Sequence, residues 1–122
     1  MEKLVKVLKE YIEENLAPDE EVKIWPIAVV KLQGRRTFYN LPVPEGTIGG
    51  ICCDIDIWDK SMGKKEAWSG HVIVRENGEV LTEFAFGSLA EAFIKIGEIS
   101  KEEVEKFKEM VEKQGIHDPV TF

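Results

Sequence analysis

Leu4, Val5, Leu8, Tyr11, Ile12 and Leu16 recur at helical spacing, with Lys and Glu between them. This pattern predicts an amphipathic helix over residues 2–16, ended by Ala17-Pro18. The apolar, β-branched run 22–32 (VKIWPIAVVKL) predicts a strand, and Pro26 argues against a central place for it in a sheet. Gln33-Gly34 signals a turn, 36–41 (RTFYNL) a short return strand and 41–46 (LPVPEG) a loop. Three further strands are expected over about 50–58, 68–76 and 79–86. Ser88-Leu89-Ala90-Glu91 and Ser100-Lys101-Glu102-Glu103 read as capping boxes, with helix stops at Gly97 and Gly115. The expected fold is α+β within one domain, residues 1–122. It has an N-terminal helix, an antiparallel meander of four or five strands, and two C-terminal helices packed on one sheet face.

Alternation with a period of two assigns the faces. In Gly49–Asp59 (GGICCDIDIWD), Ile51, Cys53, Ile55 and Ile57 share one side, and Cys52, Asp54, Asp56 and Trp58 share the other. Trp68, Gly70, Val72 and Val74 oppose Ser69, His71, Ile73 and Arg75, while Val80, Thr82, Phe84 and Phe86 oppose Glu79, Leu81, Glu83 and Ala85. The more apolar sides are expected under the helices, with Phe84 and Phe86 beside Ile55 and Val72. A two-residue Asn77-Gly78 turn would place Glu76 against Glu79 and mix the faces. A three-residue loop with Gly78 left-handed pairs Arg75 with Glu79 and aligns all the apolar sides, so it is the predicted connection.

That register has a chemical consequence. His71 falls opposite Glu83, and Asp54 or Asp56 is expected as its neighbour on the preceding strand. Asp54, Asp56, His71 and Glu83 then form one patch on the outer face, bordered by Trp58, Ile73 and Leu81. Such a patch suits a divalent metal or acid–base chemistry, or simply a polar face meeting water. No ligand motif of diagnostic spacing accompanies it. Cys53 is expected in the core, and Cys52 outside near acidic groups that raise rather than lower a thiol pKa. A cysteine nucleophile paired with His71 requires the register to slide.

Composition narrows the partners. The net charge of −7 opposes nucleic acid or an anionic membrane as the main partner. Against that background, Gln33–Tyr39 holds two of the three arginines, Arg35 and Arg36, beside Phe38 and Tyr39. This reads either as an anchor for an anionic ligand or partner protein, or as a hairpin with Phe38 inward and Tyr39 outward. His117-Asp118 reads as a helix-end group. Adjacent cysteines on a strand point apart and pair poorly, so a reducing, cytoplasmic location is expected. The charged opening segment predicts neither signal peptide nor membrane span. Glu and Lys exceed Asn and Gln, a bias of heat-adapted proteins.

The expected function is a non-enzymatic binding or assembly module acting as a homodimer or with another protein, without a cofactor. Its basis is an exposed fringe of Trp58, Ile73 and Leu81. The alternative is a metal-assisted or acid–base enzyme using Asp54, Asp56, His71 and Glu83.

Overall fold

The computed structural model describes residues 2–83 and 92–114, with backbone alone for residues 64, 65 and 114. Helix α1 (Glu2–Glu13) is followed by strand β1 (Glu20–Lys31), then a small hairpin of β2 (Thr37–Phe38) and β3 (Leu41–Pro42). Strands β4 (Thr47–Asp59), β5 (Gly63–Arg75), β6 (Glu79–Glu83) and β7 (Ile94–Glu98) follow, and helix α2 (Lys101–Gln114) comes after them. The five long strands form an antiparallel sheet in the order β1-β4-β5-β6-β7, and β2-β3 stands apart from it. The expected meander is therefore present, with the hairpin inserted between its first two strands.

One expectation fails in the second half. Residues 94–98 form a strand rather than the end of a helix, so the described residues contain one helix after the sheet, not two. Ile94 and Ile96 alternate with polar neighbours, and β6 offers an open edge that pairs Val80 with Gly97 and Thr82 with Ile94. Pairing with the open edge of β6 holds this segment extended. Phe84, Phe86 and the Ser88 box lie outside the described residues, as does His117. The Ser100 cap holds: its Oγ accepts from the Glu103 N–H at 3.2 Å.

Both helices cover the inner face. Leu4, Leu8 and Ile12 of α1 and Val104, Phe107 and Val111 of α2 join Val22, Ile51, Cys53, Ile55, Ile57, Val72, Val74 and Val80 in one core. The predicted inner strand faces are correct at Ile51, Cys53, Ile55, Ile57, Val72, Val74 and Val80. Gly49 explains why α2 sits so close: a Cβ there would lie 2.5 Å from the Val30 carbonyl oxygen and 2.9 Å from Val111 Cγ2. The β5–β6 connection is the predicted three-residue loop. Gly78 has φ of 92°, and Arg75 Nη1 donates to Glu79 Oε1 at 2.5 Å.

A second core lies on the outer face. Val30, Leu32, Cys52, Ile73 and Leu81 pack beneath Phe38 and Leu41 of the hairpin and beside Phe93. Ile73 is 0% and Leu81 8% exposed, and Trp58 is half-buried with its indole nitrogen enclosed, so the expected exposed fringe of Trp58, Ile73 and Leu81 is corrected: it is not present. The hairpin folds back over Ile73 and Leu81 and removes them from water. Among the described residues, no helix is long and apolar enough to cross a membrane.

Candidate functional site

The hairpin divides the outer face into a covered half and an open half, and His71 stands at the margin between them. Phe38 and Leu41 pair across a two-residue turn, Tyr39-Asn40. Both turn residues have positive φ, 50° and 64°, as a type I′ turn requires. Asn tolerates that region, whereas a tyrosine there is strained. The strain is held by contacts: the Tyr39 ring stacks on the His71 imidazole with centroids 3.7 Å apart. Phe38 meets the same imidazole edge-on at 5.5 Å. Phe38 is buried and Tyr39 outward, as the alternation predicts.

His71 Nδ1 lies 2.5 Å from Glu83 Oε1, the partner predicted from the hairpin register and confirmed in the ladder. The neighbour on β4 differs from the expected one. Cys52 faces His71, Asp54 faces Ser69 and Asp56 faces Ala67. The displacement follows from the β4–β5 register, which the turn before Gly63 and a shift between Ile57 and Trp58 set, and which face alternation leaves undetermined. Asp54 and Asp56 therefore run away from His71 and Glu83 along the open half. Among the described residues, no three His, Cys, Asp or Glu side chains stand together as a metal site. The four-residue cation patch is not assembled.

Cys52 is opposite His71, the register a thiol nucleophile needs, but its surroundings oppose that chemistry. The side chain is buried beneath the hairpin. Burial raises its pKa, against the opposing pull of the Tyr39 hydroxyl, which lies 4.0 Å from Sγ. A neutral, buried thiol is a small hydrophobe. Loss of solvation, followed by the neighbouring Cys52 and Glu83, pushes the Tyr39 hydroxyl up to about 12. The cluster is neutral in its thiol and phenol. Its carboxylate is Glu83, in contact with His71 Nδ1.

The open half carries Glu21, Lys23 and Trp25 from β1 beside Asp54, Asp56 and Trp58 from β4, in the pairs Trp25–Asp54 and Lys23–Asp56. Trp25 is 45% exposed and Ile27, at the adjoining edge, 43%. Lys23 Nζ sits 4.9 Å from the centre of the Trp58 ring, a cation–π contact that fixes both side chains on this face. Trp25 went unrecognised in the sequence because Pro26 and the register shift between Pro26 and Ala28 break the alternation that would have assigned it. Arg35 and Arg36 stand elsewhere, lining a cleft between β1 and β4.

Comparison with protein-family models, with curated proteins and with solved structures gave no match.

Proposed function

We propose that this protein is a binding and assembly module whose open outer half-sheet pairs with a second copy of itself. The observation that supports this most is Trp25, an exposed tryptophan on the sheet face that also carries Trp58, with the exposed Ile27 close in sequence. Tryptophan is enriched where binding energy concentrates, and a monomer gains nothing by leaving it in water. Pro26 and the bulge beside it obstruct continuous edge-to-edge pairing along β1. Association therefore uses the face. A two-fold axis can set Lys23, the one lysine among these residues, against the partner's Asp54. Light scattering across a concentration series tests this. Wild type is expected to approach twice the monomer mass as concentration rises, and Trp25→Glu to stay monomeric with an unchanged circular dichroism spectrum. A wild type that remains monomeric throughout refutes the self-pairing.

A second reading, acid–base chemistry at His71, is favoured by the Nδ1–Glu83 contact. A proton fixed on Nδ1 leaves Nε2 with its lone pair as a base. The ring ¹⁵N shifts of His71 at pH 8 test it. This reading requires the Nδ1–H tautomer, and the Nε2–H tautomer excludes it.

A further inference from the structure

The segment joining β1 to β4 builds a cleft of about 370 Å³, lined by Leu32 at its base, by Gly34, Arg35 and Arg36 on one wall and by residues 43–47 on the other. That volume lies in the range of small-molecule sites. The walls are held by the chain's own hydrogen bonds. Arg35 N donates to the Leu32 carbonyl and Val43 N to the Arg36 carbonyl, each at 2.9 Å, while Glu76 N donates to the Gly46 carbonyl at 2.8 Å. Thr47 Oγ1 closes on the Pro44 carbonyl at 2.7 Å. Arg75 grips the Glu45 carbonyl through both Nε and Nη2. A preorganised wall spares a ligand the cost of ordering it.

The charge of the cleft runs against that of the molecule. In a chain of net charge −7, two of the three arginines meet here, and Glu45 is the one acid among the lining residues. Among the described residues, ion pairs engage Lys31, Arg75, Lys95, Lys106 and Lys108 rather than Arg36. The guanidinium fork matches a phosphate or carboxylate in two-point geometry. We infer that this cleft binds a small molecule bearing one phosphate or carboxylate group at Arg35 and Arg36, and a hydrogen-bond donor such as an ammonium or hydroxyl at Glu45. The site is separate from the open half-sheet and stands whether or not that face self-pairs.

The probes are inorganic phosphate, phosphoethanolamine and succinate, each titrated against sodium chloride of equal ionic strength while backbone amide resonances are followed. Phosphoethanolamine is expected to shift residues 32–47 most tightly, because it satisfies both walls. Arg36→Gln is expected to weaken it by about tenfold or more, the usual loss for a charged hydrogen bond. Glu45→Gln keeps the backbone carbonyl that Arg75 holds, and is expected to strengthen bare phosphate relative to phosphoethanolamine. A stronger response to succinate than to phosphate identifies a carboxylate ligand within the same proposal. Shifts no larger than those from sodium chloride, or shifts unchanged in Arg36→Gln, overturn it.

Discussion

Cys52 and Cys53 are one peptide bond apart yet belong to different cores, one under the hairpin and one under the helices. Both thiols are buried, so neither is expected to react with a thiol reagent at pH 8 until denaturant is added. Burial, with Cys52 and Asp54 nearby, pushes Cys53 up to about 12, and Tyr39 reaches about 12 as well. Each raised value favours the neutral form in the folded state. The stability this supplies is complete below the unfolded pKa and is lost as pH rises toward 12. The urea midpoint is therefore expected to fall from about pH 9 upward, and to fall less in Cys53→Ala. An equal fall in the variant would show that another group governs the alkaline limb. At Gly49 an added methyl meets a backbone carbonyl that cannot step aside, so Gly49→Ala is expected to cost roughly 1–3 kcal/mol by urea denaturation. That the two cysteines take opposite faces was legible from alternation, but the expected place of Cys52 outside near acidic groups is corrected: the hairpin buries it. The stacking of Tyr39 on His71 was not legible, because no local pattern says where a hairpin tip will land.

The β2–β3 hairpin is the element that most changes the outer face, and it is built from only four paired residues. Phe38 is nevertheless fully buried, over Ile73, Leu81 and Cys52. Phe38→Ala is expected to cost about 3–5 kcal/mol, as for other buried aromatics. An unchanged denaturation midpoint would return that half of the face to solvent. A signal for this cover existed in the sequence: Val30, Leu32, Ile73 and Leu81 place apolar groups on a face otherwise polar. For Ile73 and Leu81, expected at an interface with another chain, the cover is nearer: the chain's own loop. The β4–β5 register was hidden for a different reason. Sliding a strand by two residues preserves every face assignment while replacing Asp54 with Cys52 beside His71. The tight β5–β6 loop removed that freedom one hairpin later, which is why Glu83 was found and the aspartates were not. The strand at 94–98 was concealed by a helix-capping motif close before it, although Ile94 and Ile96 carry the alternation of a strand.

At the scale of the molecule, one sheet face is closed by two helices, and the other is half closed by a hairpin. The remaining open half carries tryptophans and one lysine, Lys23, among the acids Glu21, Asp54 and Asp56, in a chain that is itself strongly acidic. Two copies of net charge −7 repel one another at a distance, so a stable contact needs local complementarity of the kind Lys23 and Asp54 supply. Carbodiimide joins a lysine to a carboxylate in direct contact, and mixing ¹⁵N-labelled with unlabelled protein separates links between copies from links within one. The decisive measurement is mass spectrometry of such a cross-linked equimolar mixture. The account predicts hybrid-mass peptide pairs joining the Lys23 segment to the Asp54 segment, absent from a Trp25→Glu mixture. Lys23–Asp54 links of uniform isotope only, or hybrid links confined to the helices, would contradict it.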